Sequence, residues 1–136
     1  MYKRQVLIGS KEKIKKARRK RKAMGGGMRQ AGYLAAACTY ALDHHVEDLK
    51  IDNDRAKKIG QVLEAQTFVE DVRPVKTNIV VFTLANKAAP NEFLEKLKQY
   101  GIGAVQFGPH EIRFVFHRDL TPSDIVKVQE VLASIA

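Results

Sequence analysis

Cysteine and long hydrophobic runs are what this sequence has least of. Cys38 is its single cysteine, so the chain cannot form an internal disulfide. The apolar neighbours of Cys38 predict a buried, reduced thiol in a reducing compartment. The longest apolar run near the start, residues 6–8, is too short for a secretory signal, and no stretch approaches a membrane span. We therefore expect a cytoplasmic protein that binds no membrane.

Acidic residues are almost missing from the first 30 positions. This segment holds twelve of the 24 lysines and arginines and only Glu12 as an acid, a net charge of +11. The other 106 residues carry a net charge of −2, as an ordinary cytosolic domain does. The overall charge of +9 favours a polyanionic partner such as a nucleic acid. Because this charge is confined to one segment, it does not by itself indicate that the whole chain binds nucleic acid.

A length of 136 residues allows one domain, or a small domain with an appendage. The hydrophobic fraction of 45% and the charged fraction of 29% are near the average of globular proteins. The chain is therefore expected to fold around one core.

Helices dominate the first half of the predicted structure. Ser10 is placed to cap a basic helix, and three consecutive glycines from Gly25 end it. A second helix then has many small residues and an apolar face that includes Cys38, with the spacing of a buried helix face. Residues 6–8 resemble the end of a strand. The predicted helices cover residues 10–24, 28–44 and 46–65.

Strands and helices alternate after about residue 66. Gly101 is placed to end one helix, and Thr121, followed by Pro122, to begin another. This half is predicted to be a compact α+β unit with its own core. Its strands are predicted at residues 68–72, 78–84, 102–105 and 111–117, and its helices at residues 91–100 and 121–135.

The basic helix and its glycines together predict a phosphate site. Lys22 precedes the glycines and Arg29 follows them, so backbone N–H groups, a helix end and two cations lie within one short segment. The segment matches neither GxxxxGK[ST] nor GxGxxG. A solvated basic helix face and a nucleic-acid-binding arm are the alternative interpretations.

Arg113 is the second candidate site residue. Strand periodicity places it on one face with Val115 and His117, and places Ile112 and Phe114 on the other. An arginine among apolar residues in a strand is costly to desolvate without an anionic partner, and its planar fork matches a carboxylate. The alternatives are a structural ion pair or an edge strand with the guanidinium in water.

His44 and His45 do not predict a metal site. Adjacent histidines point to different sides of a helix, and the sequence has neither an HExxH motif nor a cysteine cluster. We expect no bound metal.

The motif GGGMRQAG at residues 25–32 carries a resemblance to a known family. It lies within VLIGSKEKIKKARRKRKAMGGGMRQAGYLAAACTYALDHHVEDL, and Asp52, Arg55-Ala56, KTNIV, FGP and IRFV follow it in order. Over residues 6–136 the chain resembles the C-terminal part of a threonine aldolase of the aromatic amino-acid β-eliminating lyase family.

This resemblance implies an aspartate-aminotransferase-like fold and pyridoxal 5′-phosphate as cofactor. Such enzymes cleave 3-hydroxy amino acids such as threonine to glycine and an aldehyde, and they form dimers or tetramers. By resemblance, Lys22 and Arg29 contact the cofactor phosphate across a subunit interface, and Arg113 holds the substrate carboxylate. The expected fold class is α+β, the small C-terminal domain of a fold-type I enzyme with a short antiparallel sheet and flanking helices, preceded by a helical segment.

The resemblance also implies that a catalytic residue is missing. The family's Schiff-base lysine lies before the VLIG segment, upstream of Met1, so this chain has no catalytic residue of its own and is expected to be inactive alone. Its first helices are then expected to expose apolar surface. Asn53, Phe116 and Arg118 replace residues common in the family, which is expected to alter the pocket beside Arg113.

The sequence therefore favours a threonine aldolase fragment that binds an amino-acid substrate and no nucleic acid. A small basic nucleic-acid-binding protein is the alternative, although only Tyr2 and Tyr33 flank the basic helix as stacking residues. A regulatory small domain that lost catalysis is a third possibility. The expected segments are the end of a large domain (1–27), linking helices (28–66) and a small α+β domain (67–136).

Overall fold

The computed structural model describes residues 6–87 and 89–135. It contains two compact units, one up to Ala41 and one from Leu42, which we describe separately. In chain order the elements are α1 (Lys11–Ala23), α2 (Ala31–His44), α3 (Leu49–Glu64), β1 (Val69–Val72), β2 (Ile79–Leu84), a 3₁₀ turn (Ala85–Lys87), α4 (Pro90–Gln99), β3 (Val105–Gln106), β4 (Glu111–Val115) and α5 (Pro122–Ser134).

The first unit contains α1 and most of α2. The predicted cap of α1 is confirmed, because the Ser10 hydroxyl accepts a hydrogen bond from the Lys13 N–H at 3.4 Å. Gly25 then takes a φ of +79°, a left-handed conformation that favours glycine, and the chain leaves the helix. Residues 6–8 form no strand, so the strand predicted there is wrong.

The predicted burial of α2 is also wrong. No residue of α2 is buried, and Cys38 is exposed. Helical periodicity identifies the residues that share a face, but a face is buried only where another element packs on it. The expected exposure of apolar surface is confirmed, with Tyr33 at 81% and Leu42 at 71%. The helix starts at Ala31, three residues later than predicted.

The second unit contains a four-stranded antiparallel sheet with the strand order β1-β2-β4-β3. Arg113 of β4 is paired with Val81 of β2 on one side and with Val105 of β3 on the other. β3 starts later than predicted, because the Ile102 N–H bonds to the Leu97 carbonyl and completes the end of α4.

Helices cover one face of this sheet. The buried side of β2 and β4 includes Phe82 and Phe114, and α3, α4 and α5 pack against it in one hydrophobic cluster. Ile59 and Leu63 of α3 are fully buried there, so this core includes a helix that the sequence assigns to the linking segment. The three segments 1–27, 28–66 and 67–136 stay a prediction as domain boundaries. The α+β fold class is confirmed.

α5 begins with a complete capping box, as the sequence predicts. The Thr121 hydroxyl accepts from the Asp124 N–H at 3.3 Å, and the Asp124 carboxylate accepts from the Thr121 N–H at 2.7 Å. The hydrogen bonds from the Thr121 side chain and backbone hold the pKa of Asp124 below its ordinary value of 3.8.

This lowered pKa gives a pH-dependent prediction. A depressed folded-state pKa contributes stability that is present above pH 3.8 and is lost as the pH falls through the folded value. Asp124→Asn is therefore expected to be less stable than the parent chain at pH 7, and the difference should shrink near pH 3. Urea unfolding at both pH values measures this, with Glu130→Gln as a matched loss of one carboxylate from α5. A difference that is equal at both pH values would contradict the assignment.

Candidate functional site

Arg113 lies in the middle of β4 on the face of the sheet away from the helices. Its neighbours Ile112 and Phe114 are buried in the core, whereas Arg113 is half-buried on the other face, as the period of two predicts. Because β4 lies between β2 and β3, Arg113 is not on an edge strand. The edge-strand interpretation is therefore wrong.

The guanidinium of Arg113 has no carboxylate partner among the described residues. Within residues 6–87 and 89–135, none of the ion pairs of the structure includes Arg113. Its Nε atom is enclosed by protein and has no hydrogen-bond partner. A buried donor without an acceptor costs about 1–3 kcal/mol. Among the described residues Arg113 therefore fits neither a structural ion pair nor an edge strand, and an anionic group at this face would find its terminal nitrogens unpaired with any carboxylate.

A second arginine and an aromatic ring lie beside Arg113. The Cζ atom of Arg113 is 5.5 Å from the centroid of the Phe107 ring, and the Cζ atom of Arg73 is 5.4 Å from the same centroid. Both distances are within the range of cation–π contacts. Arg73 also forms an ion pair with Glu111, which lies two residues before Arg113 on the same strand.

The turn between β3 and β4 fixes these groups. The Phe107 N–H bonds to the Glu111 carbonyl at 2.9 Å, and the Gln106 amide donates to the Gly108 carbonyl at 2.9 Å. A side chain at Gly108 would collide with the Glu111 carboxylate. A larger residue here would displace the Glu111 carboxylate, and the turn brings the Phe107 ring and that carboxylate to the face that carries Arg113.

The strand positions directly beside Arg113 are apolar. Val81 and Val105 are its cross-strand partners, and Ile79 and Val115 are paired further along the same face. Val105, Val115 and Phe107 are each about half-exposed. An ion pair formed on such a surface is less screened than one in open water, because the nearby groups are poorly polarisable.

Lys22 and the glycines form the second candidate site, in the first unit. The Gly26 N–H bonds to the Arg21 carbonyl at 2.8 Å, so the loop folds back on the end of α1. A Cβ atom at Gly27 would lie 3.0 Å from Cδ and 3.2 Å from Nζ of Lys22, because the Lys22 side chain lies over this glycine. Arg29 is exposed two residues later. The phosphate-binding roles of Lys22 and Arg29 stay predictions.

The residues predicted to alter the pocket beside Arg113 lie elsewhere. Phe116 is 3% exposed and faces the core, on the opposite side of the sheet from Arg113, so this expectation is wrong for Phe116. Arg118 pairs with Asp48 at 3.3 Å, ahead of α3. Asn53 lies on α3, which packs on the core side.

Arg73 and Glu111 are site residues that the sequence does not single out. Strand periodicity could have found Glu111, because it is two residues from Arg113 on the same face. Arg73 follows β1 and reaches this face only through the pairing of β1 with β2, where the Arg73 N–H bonds to the Val81 carbonyl at 2.9 Å. That register cannot be read from the sequence.

Within residues 6–87 and 89–135, no group of three or more histidine, cysteine, aspartate or glutamate side chains is placed to hold a metal ion. None of the helices in these ranges combines the length and the apolar character that crossing a membrane requires.

Comparison with known proteins gives a family and several relatives. The family model described as β-eliminating lyase matches residues 5–87. Low-specificity L-threonine aldolase 1 of Arabidopsis thaliana is 32% identical over 123 residues, which are 88% of this chain and 34% of the plant protein. The low specificity L-threonine aldolase of Escherichia coli (strain K12) is 35% identical over 125 residues, or 90% of this chain and 35% of the bacterial protein. The chain spans about a third of the length of the curated relatives that it matches.

A solved structure supports the same fold. An ornithine aminotransferase from Plasmodium yoelii is similar with a TM-score of 0.52 at 18% identity, over 63% of this chain and 23% of that one. At this identity the likeness concerns the fold, which is of the aminotransferase type, as the sequence predicts.

Proposed function

Because the chain belongs to the β-eliminating lyase family, we propose that it supplies substrate- and cofactor-binding residues of a threonine aldolase that cleaves L-threonine or similar 3-hydroxy amino acids to glycine and an aldehyde. Enzymes of this family and fold depend on pyridoxal 5′-phosphate. The observation that carries the proposal is the half-buried Arg113 guanidinium, which no carboxylate of the described chain neutralises.

Arg113 binds the substrate carboxylate in this proposal. Its planar fork can donate two parallel hydrogen bonds to one carboxylate, which fixes the direction of the amino acid as well as its position. The Val81 and Val105 side chains on either side of Arg113 limit the access of water to this ion pair and so strengthen it. With the carboxylate held, the Cα–Cβ bond of the substrate keeps one orientation, which is the requirement for selective cleavage of that bond.

Lys22 and Arg29 are proposed to hold the cofactor phosphate. The Lys22 ammonium lies beside Gly27, and the exposed Arg29 follows two residues later, so two cations flank a loop without side chains of its own. The residues present therefore fit the group. When bound, the cofactor supplies the electron sink that cleavage at Cα requires.

The remaining features of the proposal concern assembly. The enzyme is a homo-oligomer in which Lys22 and Arg29 act across a subunit interface. The 136 residues alone do not cleave threonine, because the family's cofactor-binding lysine is not among them. The protein works in the cytoplasm.

Replacement of Arg113 by lysine tests the proposal in the full chain. We expect L-threonine to shift the side-chain N–H resonance of Arg113 in an isotope-labelled sample, and L-threoninol, which lacks the carboxylate, to leave it in place. Arg113→Lys should weaken threonine binding about tenfold, because lysine cannot form the paired hydrogen bonds. Arg118→Lys is the control, since that arginine already pairs with Asp48. Equal effects of threonine and threoninol on Arg113 would refute the carboxylate assignment.

A further inference from the structure

The Glu111 carboxylate is placed to form an ion pair with Arg113. It lies two residues away on the same strand and the same face, where alternate side chains are neighbours, and both side chains are long. Its side chain is only 21% exposed, so its charge is poorly solvated and favours a cationic partner. A Glu111–Arg113 pair would neutralise the guanidinium and exclude a substrate carboxylate from it.

In the structure Glu111 pairs with Arg73 instead. Arg73 is about half-exposed and reaches Glu111 across the sheet, from the end of β1. The Phe107 ring lies within cation–π distance of both guanidiniums, at 5.4 and 5.5 Å. Each arginine therefore has its own place beside the ring, and among the described residues only Arg73 also has a carboxylate partner.

We propose that Arg73 is a positioning residue that holds Glu111 in an ion pair and so keeps Arg113 open for the substrate carboxylate. Arg73 acts through Glu111 and does not itself bind the substrate. The role of Arg113 in this inference rests on the proposed function. Whether Glu111 pairs with Arg73 or with Arg113 is a property of the ligand-free chain.

Removal of Arg73 tests the inference. In Arg73→Met, Glu111 is expected to pair with Arg113, so the Arg113 Nη protons exchange more slowly with water in the ligand-free chain. Threonine affinity falls about threefold, as expected for competition by one partly exposed ion pair. In the double variant Arg73→Met/Glu111→Gln, both the exchange rate and the affinity return to those of the parent chain. Arg73→Lys, which keeps a cation for Glu111, stays close to the parent in both measurements.

A matched control is available on the same unit. Arg118→Met removes an arginine of similar exposure, 48% against 52%, which also has one carboxylate partner. It should change neither measurement. If Arg113 exchange is unchanged in Arg73→Met, or if the double variant binds threonine as weakly as Arg73→Met, the inference is overturned.

The two proposals fail separately. If threonine leaves the Arg113 resonance of the parent chain unshifted, the proposed carboxylate role is wrong. The exchange rates in the ligand-free variants still decide whether Arg73 keeps Glu111 from Arg113.

Discussion

Phe82→Ala is expected to lower the free energy of unfolding by about 4 kcal/mol. Phe82 is fully buried, and its ring centroid lies 5.9 Å from that of Phe93 on α4 and 5.4 Å from that of Phe114 on β4. Phe68 extends the cluster, with its centroid 5.1 Å from that of Phe93. Removal of the central ring leaves a cavity between the sheet and α4 that the surrounding rings cannot fill without leaving their own contacts.

Urea unfolding followed by circular dichroism measures this loss, since the chain has no tryptophan for fluorescence. Tyr100→Ala is the control, because it removes an aromatic ring that is 46% exposed on the same unit. Its cost should stay below about 1 kcal/mol. Equal costs for the two variants would mean that the aromatic cluster is not the centre of the core.

The elements of the second unit are largely predictable from the sequence, because local signals and packing agree there. Thr121 and Gly101 mark helix ends by their own chemistry, and both act as predicted. The alternation of Ile112, Arg113 and Phe114 identifies the two faces of β4 because one of those faces is buried. Each of these predictions depends only on residues that are close together in the sequence, and the packing of the second unit agrees with all of them.

The failed predictions concern burial and long-range register. Cys38 lies on a helix face with the right spacing, but spacing does not show what packs on the face, and here the thiol is exposed. Arg113 is found from its strand because a lone charge among apolar residues is a local signal. Its neighbour Arg73 is 40 residues away in the sequence and depends on the pairing of three strands. The sequence therefore predicts the central residue of the candidate site but not Arg73, whose position depends on strand register.

Asp52→Ala is the other variant with a large expected effect. Asp52 is the one buried charged residue of the described chain, at 6% exposure, and its carboxylate accepts a hydrogen bond from Arg55 at 3.4 Å. The Arg55 side chain is 17% exposed, and its charge adds to the Thr121 hydrogen bonds that lower the pKa of Asp124 on α5. The pair therefore lies where α3 meets α5, and its loss leaves a cation that is poorly solvated.

We expect Asp52→Ala to cost about 3 kcal/mol, because a partly buried charge loses its partner. The double variant Asp52→Leu/Arg55→Met should recover most of that loss, since two apolar side chains of similar volume need no partner. Asp54→Ala is the matched control, since its carboxylate is 58% exposed and lies 4.0 Å from the Lys57 ammonium, a weak surface ion pair.

Asp52 and Arg55 are among the residues that carry the family resemblance, so they could be mistaken for site residues. If the apolar double variant recovers stability, Asp52 and Arg55 serve mainly to pack α3 on α5. If it is as unstable as Asp52→Ala, the charges themselves are needed.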